Sequence, residues 1–341
     1  MRQSKLVTLL GVLYMALCSS AYAGEYHAMG TISIDGQGGW DFVSVDSVAR
    51  RLYVTHATKV DVIDLDTNKV IGELTPTPGV HGFAIARELG RGFSSNGKDS
   101  SVGVFDLATL KLISKLPAGN NPDTIIYESK LGEVYAFNGK SNTASVFNAK
   151  SGKAIATISL SGKPEFAAFD SGLHRVFVNI EDKSLVGVID SRSHKVIAYW
   201  PIAPGVTPSG IAIDTKHHRL FIGCDNQILV VMDSVSGKVI ATTPIGKQVD
   251  AVAYDPELKL IFSSNGEGNV TIIHEDTPTQ FTVQQILATQ KRARTMGLDL
   301  KTHRIFLPVS EFTPPASTSP TERHGTVIPG TFKVLVYEYS K

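Results

Sequence analysis

Seven aromatic residues recur at nearly equal intervals along the chain and constrain its fold more than any other feature. Successive members lie 40 to 44 residues apart, and they are Tyr53, Phe93, Tyr135, Phe177, Phe221, Phe262 and Phe306. Around each of them the same order repeats: an apolar strand, a turn, the strand that carries the aromatic, a polar loop, a third strand often ending in Asp, and a fourth strand. Units of this length with four strands are typical of propeller blades. We therefore predict an all-β chain that forms a single seven-bladed β-propeller of four-stranded blades.

The two ends of the chain are expected to meet in the last blade. The seventh repeat ends with its third strand, predicted over residues 332–339, and has no fourth strand. Residues 28–34 resemble the fourth strands of other repeats, such as residues 153–158. The sequence therefore predicts that an N-terminal strand completes the seventh blade, which leaves no free sheet edge at the seam.

Residues 1–23 have the pattern of a secretory signal peptide. Arg2 and Lys5 precede an apolar stretch over residues 6–17, and Ala21-Tyr22-Ala23 forms a small-x-small cleavage site. Twelve apolar residues are too few to span a bilayer comfortably. We therefore predict a mature chain over residues 24–341 that is periplasmic or secreted and has no transmembrane anchor.

Charge and cysteine content exclude several classes of function. Without residues 1–23 the chain has 31 basic and 32 acidic residues, which argues against a surface built to neutralise phosphates. Cys224 is then the one cysteine left, so no internal disulfide and no covalent haem attachment are expected, and we predict a buried thiol on a strand. The chain has no Gly-x-Ser-x-Gly motif, P-loop or Cys-x-x-Cys pair.

The repeat resembles a known family. Leu52-Tyr53-Val54-Thr55 and its counterparts are similar to the YVTN-repeat, or YncE-like, seven-bladed β-propellers of secreted bacterial and archaeal proteins. The resemblance covers nearly the whole of residues 24–341. Proteins of this wider group include lactonases, a streptogramin-inactivating lyase, redox-enzyme subunits and proteins that bind single-stranded DNA. The resemblance therefore implies the fold and leaves the activity open.

Superposing the repeats on their aromatics places one polar residue per blade at the mouth of the central channel. Each lies twelve residues before the aromatic of its blade, and this mouth ring consists of Asp41, His81, Asp123, Glu165, Ser209, Asp250 and Arg294. Clustered carboxylates suit a divalent cation, and Ca²⁺, Mg²⁺ or Mn²⁺ is the expected cofactor. The predicted metal ligands are Asp123, Glu165 and Asp250. His81, which can move a proton near neutral pH, forms the predicted catalytic set with Glu165 and Arg294.

A ligand at this mouth would meet a second group of side chains. The predicted ligand-binding residues are Asp41, His56, Glu181, Ser209 and Arg294, of which His56 and Glu181 follow second strands. The Asn residues in the Asn-Gly pairs of the corresponding loops are interpreted as turn residues. Arg294 could hold an anionic group of the ligand.

The sequence is compatible with three functions, and also with a channel mouth that has no function. The first is a protein that binds a small molecule or a metal ion with the residues of the mouth ring. The second is a metal-dependent lactonase-like hydrolase or lyase in which His81 moves the proton, and the third is an interaction platform for protein or single-stranded DNA. The alternative is a polar, water-filled channel whose side chains satisfy one another. A monomer is expected.

Two further segments break the regular pattern. Residues 312–330, in blade seven, are Pro-rich and too long for a tight connection, so we interpret them either as a lid over the channel mouth or as an excursion into solvent. As a lid, they would bring Arg323 and His324 to the site. His217 and His218 follow Asp214 in a turn and are interpreted as solvated.

Overall fold

The chain folds into seven four-stranded antiparallel sheets arranged in a ring. The computed structural model describes residues 24–36, 38–314 and 325–341, and these ranges contain 28 strands. The prediction of a seven-bladed β-propeller is confirmed. Residues 1–23, with the predicted signal peptide, and Arg323 and His324 of the predicted lid lie outside the described residues.

The four strands of each blade lie in order from the central channel to the outer rim. The first strands pack against those of the neighbouring blades around the axis, and they are β2 (Trp40–Asp46), β6 (Val80–Ala86), β10 (Pro122–Glu128), β14 (Pro164–Asp170), β18 (Pro208–Asp214), β22 (Val249–Asp255) and β26 (Gly297–Asp299). The second strands are β3 (Arg51–His56), β7 (Arg91–Asn96), β11 (Glu133–Asn138), β15 (Arg175–Ile180), β19 (Arg219–Cys224), β23 (Leu260–Asn265) and β27 (Arg304–Val309).

The outer half of each blade follows the same scheme. The third strands are β4 (Lys59–Asp64), β8 (Ser101–Asp106), β12 (Thr143–Asn148), β16 (Leu185–Asp190), β20 (Ile228–Asp233), β24 (Asn269–Thr277) and β28 (Lys333–Ser340). The fourth strands are β5 (Lys69–Leu74), β9 (Leu112–Pro117), β13 (Ala154–Ser159), β17 (Lys195–Pro201), β21 (Val239–Pro244), β25 (Gln280–Ala288) and, for blade seven, β1 (Glu25–Ser33). Two 3₁₀ turns, Arg87–Leu89 and Glu181–Lys183, follow β6 and β15 in the described part.

The N-terminal strand closes the last blade, as predicted. β1 pairs antiparallel with β28 from Glu25 opposite Ser340 to Ser33 opposite Lys333. Tyr26 and Ile32 of β1 are buried, and the Tyr26 hydroxyl donates to the carbonyl of His303 at 2.7 Å. The seam therefore joins β1 to β28 through a ladder with one register shift, between Ala28 and Gly30, and through two buried side chains.

The repeated aromatics form the core between blades. All seven are at most 1% exposed. Tyr53 of blade one stacks on Phe83 of blade two with ring centroids 4.8 Å apart, and Phe221 lies 5.0 Å from Tyr254 of the next blade. Burying a large side chain at every blade-to-blade contact stabilises the ring, because each blade buries its apolar faces only against its neighbours.

The third strands end in side chains that hold the following turn. The Oδ1 of Asp64 accepts hydrogen bonds from the amides of Asp66 and Thr67 and from the Thr67 hydroxyl, and Asp106 binds Thr109 in the same way. These Asx turns explain the Asp that recurs in the repeat. No helix within the described ranges is long and apolar enough to cross a membrane.

Candidate functional site

The mouth-ring residues share one structural position. In six blades the ring residue is the second residue of the first strand, as with Asp41 in β2, and Arg294 lies three residues before β26. In each of those six blades the pairing of the first and second strands shifts register immediately after the first residue. The Thr55 hydroxyl accepts from the Asp41 amide at 3.2 Å, so a side chain replaces the missing ladder bond. The irregularity takes the ring residues out of the ladder at the channel mouth.

Three ring residues from consecutive blades form a compact group, named here the mouth triad: Asp41, His81 and Asp123. The Nδ1 of His81 lies 2.7 Å from the Oδ2 of Asp41 and 3.6 Å from the Oδ1 of Asp123. One potential ligand atom from each residue lies within 4.8 Å of the others. The three side chains are 15 to 29% exposed, so they are shielded from bulk water while still open to the channel.

Three of the four remaining ring residues form a second network on the other side of the axis. Arg294 forms an ion pair with Asp250, with its Nε 3.0 Å from the Oδ2 of that carboxylate. The Ser209 hydroxyl lies 3.3 Å from the Oδ1 of the same carboxylate and 3.1 Å from the Asp250 carbonyl oxygen. Asp250 is therefore held on both oxygens by neighbours in the ring.

Glu165 and Glu181 share a lysine that the sequence analysis did not identify. The Nζ of Lys163 lies 3.1 Å from the Oε2 of Glu165 and also donates to Glu181. Lys163 stands two residues before its ring residue, and Arg292 holds the same position in blade seven. Superposing the repeats at that offset would have found both cations.

Burial and mutual repulsion disturb the protonation of the ring. Burial, with the charge of Asp123 next in size, raises the pKa of Glu165 to about 8, although Lys163 opposes the shift. Burial raises the pKa of Asp250 to about 6 against the opposing charge of Arg294. Burial and the charge of Asp41 likewise raise the pKa of Asp123. The cations of the chain therefore do not fully neutralise this group of carboxylates.

The pKa of His81 moves in the same direction for a different reason. Burial by itself would lower it, but the hydrogen bond to Asp41 and the charges of Asp123, Asp41 and Glu165 outweigh burial and raise it. A positive charge at the centre of the mouth triad is thus favoured. The same environment would favour a bound cation.

A cavity of about 760 Å³ opens beside the second network. Its lining includes four ring residues, Glu165, Ser209, Asp250 and Arg294, but none of the mouth triad. Trp40 and Phe312 form an aromatic wall with ring centroids 6.0 Å apart, and the guanidinium of Arg292 lies 3.9 Å from the centre of the Phe312 ring. The mouth therefore has two adjoining parts, a compact acidic triad and a larger cavity with arginines and aromatics.

The floor of the mouth is apolar. Phe42 of blade one and Phe166 of blade four each follow a ring residue, and their ring centroids lie 4.3 Å apart across the channel. Neighbouring blades have Gly82 and Gly210 at the equivalent position, where a Cβ on Gly210 would approach the Val252 amide nitrogen to 2.5 Å. Glycine at this position therefore allows the first strand of the next blade to approach closely.

The structure also places the predicted residues that lie outside the ring. Glu181 lines the cavity. His56 does not: its side chain is 1% exposed, its Nδ1 lies 3.1 Å from the Oδ2 of Asp61, and its ring lies 4.2 Å from that of Phe332. Burial within blade one removes His56 from contact with a ligand at the mouth. Of the predicted metal ligands Asp123, Glu165 and Asp250, Asp123 alone belongs to the mouth triad.

The loop of blade seven reaches the same face. Phe312 pairs with Val327 through an isolated bridge, and both line the cavity. The Asn residues of the Asn-Gly pairs are buried and hydrogen-bonded within their own blades, as Asn265 is to Thr271, which agrees with their interpretation as turn residues.

Comparisons with known proteins identify the fold. No family model matches the chain, and no curated protein does. Among solved structures, a chain of Kuenenia stuttgartiensis hydrazine synthase is similar with a TM-score of 0.72 and 15% identity, over 82% of this chain and 95% of that one. A chain in the crystal structure of a mitotic checkpoint complex is similar with a TM-score of 0.76 and 12% identity, over 99% of both chains. At such identities the similarity establishes the propeller architecture and nothing about activity.

Proposed function

We propose that this chain is an exported propeller of the YVTN-repeat type that binds a divalent cation at the mouth triad and a small ligand in the adjoining cavity. The observation that carries the proposal is the convergence of one imidazole and two carboxylates from three consecutive blades, with donor atoms within 4.8 Å of one another. These side chains come from parts of the sequence 40 and 42 residues apart, and the packing of consecutive blades brings them together.

The donor set indicates the class of cation. Carboxylates alone would suit Ca²⁺ or Mg²⁺, but an imidazole nitrogen favours first-row transition ions. Among the cations expected from the sequence, Mn²⁺ therefore fits the triad best, and Zn²⁺ fits the same donors. The ion would take the place of the proton that His81 shares with Asp41, and its charge would relieve the repulsion that raises the pKa of Asp123.

The cavity indicates the class of ligand. Arg294 and Arg292 line it together with Trp40 and Phe312. Guanidinium groups recognise carboxylates and phosphates, while an aromatic wall accepts an apolar body. A small solute with one anionic group and an apolar part would match both features, and a hydrogen-bond donor on it would suit the carboxylates of Glu181 and Asp225 in the same lining.

Metal analysis on a matched pair of variants tests the cation site. Asp123→Asn and Asp250→Asn change carboxylates at equivalent ring positions, but only Asp123 belongs to the triad. After chelation, titration calorimetry with Mn²⁺ should show one equivalent lost in Asp123→Asn and retained in Asp250→Asn. Equal binding by all three proteins, or no binding by the parent, would overturn the assignment.

Thermal-shift measurements test the ligand. A panel of mono- and dicarboxylates that includes aromatic acids should contain members that raise the melting temperature of the parent. The stabilisation should disappear in Arg294→Gln and persist in Arg87→Gln, a change at the opposite end of the inner strands. Loss in both variants, or in neither, would contradict the proposed ligand class.

Export is tested separately. Expression of the full chain should yield a periplasmic or secreted product whose first residue is Gly24. A product that retains residues 1–23 in the cytoplasm would refute export without affecting the cation site.

A further inference from the structure

A second group of metal-binding side chains lies at the face of the disc opposite the mouth, named here the rear triad: Asp214, His217 and Glu275. Asp214 ends β18, whose second residue is Ser209 at the mouth, and His217 follows in the next turn. Glu275 stands near the end of β24, which starts at the mouth face. The rear triad therefore joins blade five to blade six, well away from the site described above.

The donor atoms of the rear triad converge. The Nδ1 of His217 lies 2.6 Å from the Oδ2 of Asp214 and 3.6 Å from the Oε1 of Glu275. Ligand atoms of all three residues lie within 4.8 Å of one another. Within the ranges that the structure describes, the mouth and rear triads are the two groups of three such residues that meet this condition.

Burial makes this arrangement costly without a cation. The side chains of Asp214 and Glu275 are 3% and 2% exposed, and His217 is 30% exposed. The Oε1 of Glu275 is buried and has no hydrogen-bond partner. An ionised carboxylate oxygen in that state loses its hydration without compensation, and a coordinated cation would supply the missing interaction.

The other oxygen of each carboxylate is held by the protein. The Tyr254 hydroxyl donates to the Oε2 of Glu275 at 2.6 Å, which leaves Oε1 directed at His217. The Oδ1 of Asp214 accepts from the Lys216 amide at 2.9 Å, and its Oδ2 is directed at the same ring with the Tyr254 hydroxyl 3.4 Å away. Outer contacts of this kind orient the ligands of metal sites.

Another histidine at this face, His303, lacks the second buried carboxylate that His217 has. His303 contacts Asp255 at 2.6 Å, but its other acidic neighbour, Glu257, lies 3.8 Å from the opposite ring nitrogen and is 77% exposed. His303 therefore has an ordinary partner in a turn, whereas His217 faces two buried carboxylates through one nitrogen. His217 is thus more than the solvated turn residue that the sequence predicts.

We propose that Asp214, His217 and Glu275 bind a first-row transition-metal dication such as Zn²⁺. Three protein ligands with an open position for solvent are typical of accessible zinc sites, and the partial exposure of His217 gives an ion access. Ligand atoms at zinc distances from a shared ion lie about 3.3 Å apart in a tetrahedral site. The 3.6 Å contact already fits this spacing, and the 2.6 Å contact must lengthen when the ion replaces the shared proton.

Zinc titration in an Asp123→Asn background tests the rear triad independently of the mouth. In this background calorimetry with Zn²⁺ should show one equivalent, and adding His217→Ala should abolish it. Adding His303→Ala, which removes a histidine from a neighbouring turn, should leave the equivalent in place. Tyr254→Phe should weaken binding about tenfold, because it releases Glu275 without removing a ligand.

Cobalt gives a readout that does not depend on stability. Co²⁺ added to the Asp123→Asn protein should produce visible absorption bands of a four- or five-coordinate site, and these should vanish in His217→Asn with the circular dichroism of the fold unchanged. The proposal is overturned when the Asp123→Asn protein binds neither Zn²⁺ nor Co²⁺, or when the bands survive both His217→Asn and Glu275→Gln. Neither result would bear on the cation proposed for the mouth triad.

Discussion

The imidazole Nδ1 of His81 lies 2.7 Å from the Oδ2 of Asp41, the residue at the same position of the preceding blade. This contact between repeat-equivalent residues shows that the mouth ring is a set of interacting neighbours. Their charges also act across the axis, since the charge of Asp41 adds to burial in raising the pKa of Asp250.

Glu165 should make the metal-free protein less stable as the pH rises. Its pKa in the folded protein is about 8 against an ordinary value of 4.5, so the folded state binds the proton more tightly than the unfolded state. The free energy of unfolding therefore falls between about pH 4.5 and pH 8, by roughly a few kcal/mol. Glu165→Gln removes this cost, and its melting temperature should exceed that of the parent by about 4 °C at pH 8.5 but match it at pH 4.5.

The control for that prediction is Glu181→Gln, which also removes a negative charge from Lys163. Melting curves are recorded with a chelator present, so that no ion contributes. An advantage of Glu165→Gln that stays constant from pH 4.5 to 8.5 would show that the carboxyl does not titrate in this window.

Phe42 and Phe166 should be energetically coupled across the channel. Their ring centroids are 4.3 Å apart although the residues belong to blades one and four. Replacing either with Ala should lower the free energy of unfolding by about 2 kcal/mol, because both are half-buried. The double variant should cost about 1 kcal/mol less than the sum of the single changes, as urea unfolding can show. Additive effects would mean that the two rings do not touch in solution.

Closure of the ring by β1 can be tested on two adjacent residues. Ile32 is 4% exposed in the core beneath the seam, whereas its neighbour Thr31 is exposed. Ile32→Ala should reduce the free energy of unfolding by about 3 kcal/mol, and Thr31→Ala by less than about 0.5 kcal/mol. Equal effects in denaturant unfolding would contradict a buried position for β1.

Cys224 should be chemically inert in the folded protein. Burial raises the pKa of its thiol to about 12, and the side chain is fully buried on β19. In protein lacking residues 1–23, a disulfide-exchange reagent at pH 8 should label no thiol until urea is added, and then one per chain. Rapid labelling of the native protein would show that this strand opens.

The repeat predicted the architecture and the positions of the mouth-ring residues, because both follow from the spacing of 40 to 44 residues between the aromatics. Spacing of the aromatics was sufficient to find Asp41 and Arg294, whose nearest neighbours in the ring lie in other blades. It could not predict that Phe42 meets Phe166, because contact across the axis depends on the width of the channel.

The grouping of ligands was harder to predict than the ring itself. The predicted metal ligands Asp123, Glu165 and Asp250 were chosen because they are carboxylates. The order of the ring residues around the axis instead places His81 between Asp41 and Asp123. His56 was assigned to the mouth from its place in a loop, but Asp61 on the adjacent strand provides it with a buried partner. Likewise, the sequence could not show that Glu275, 58 residues from His217, would complete the rear triad.

Anomalous diffraction from crystals prepared with Mn²⁺ tests the central claim most directly. We predict an anomalous peak about 2.1 Å from the Nδ1 of His81 and from one oxygen each of Asp41 and Asp123. Crystals of Asp250→Asn should retain the peak, and crystals of Asp123→Asn should lack it. Electron density that shows His81 still bonded to Asp41, with no anomalous signal at the channel mouth under saturating Mn²⁺, would contradict the account.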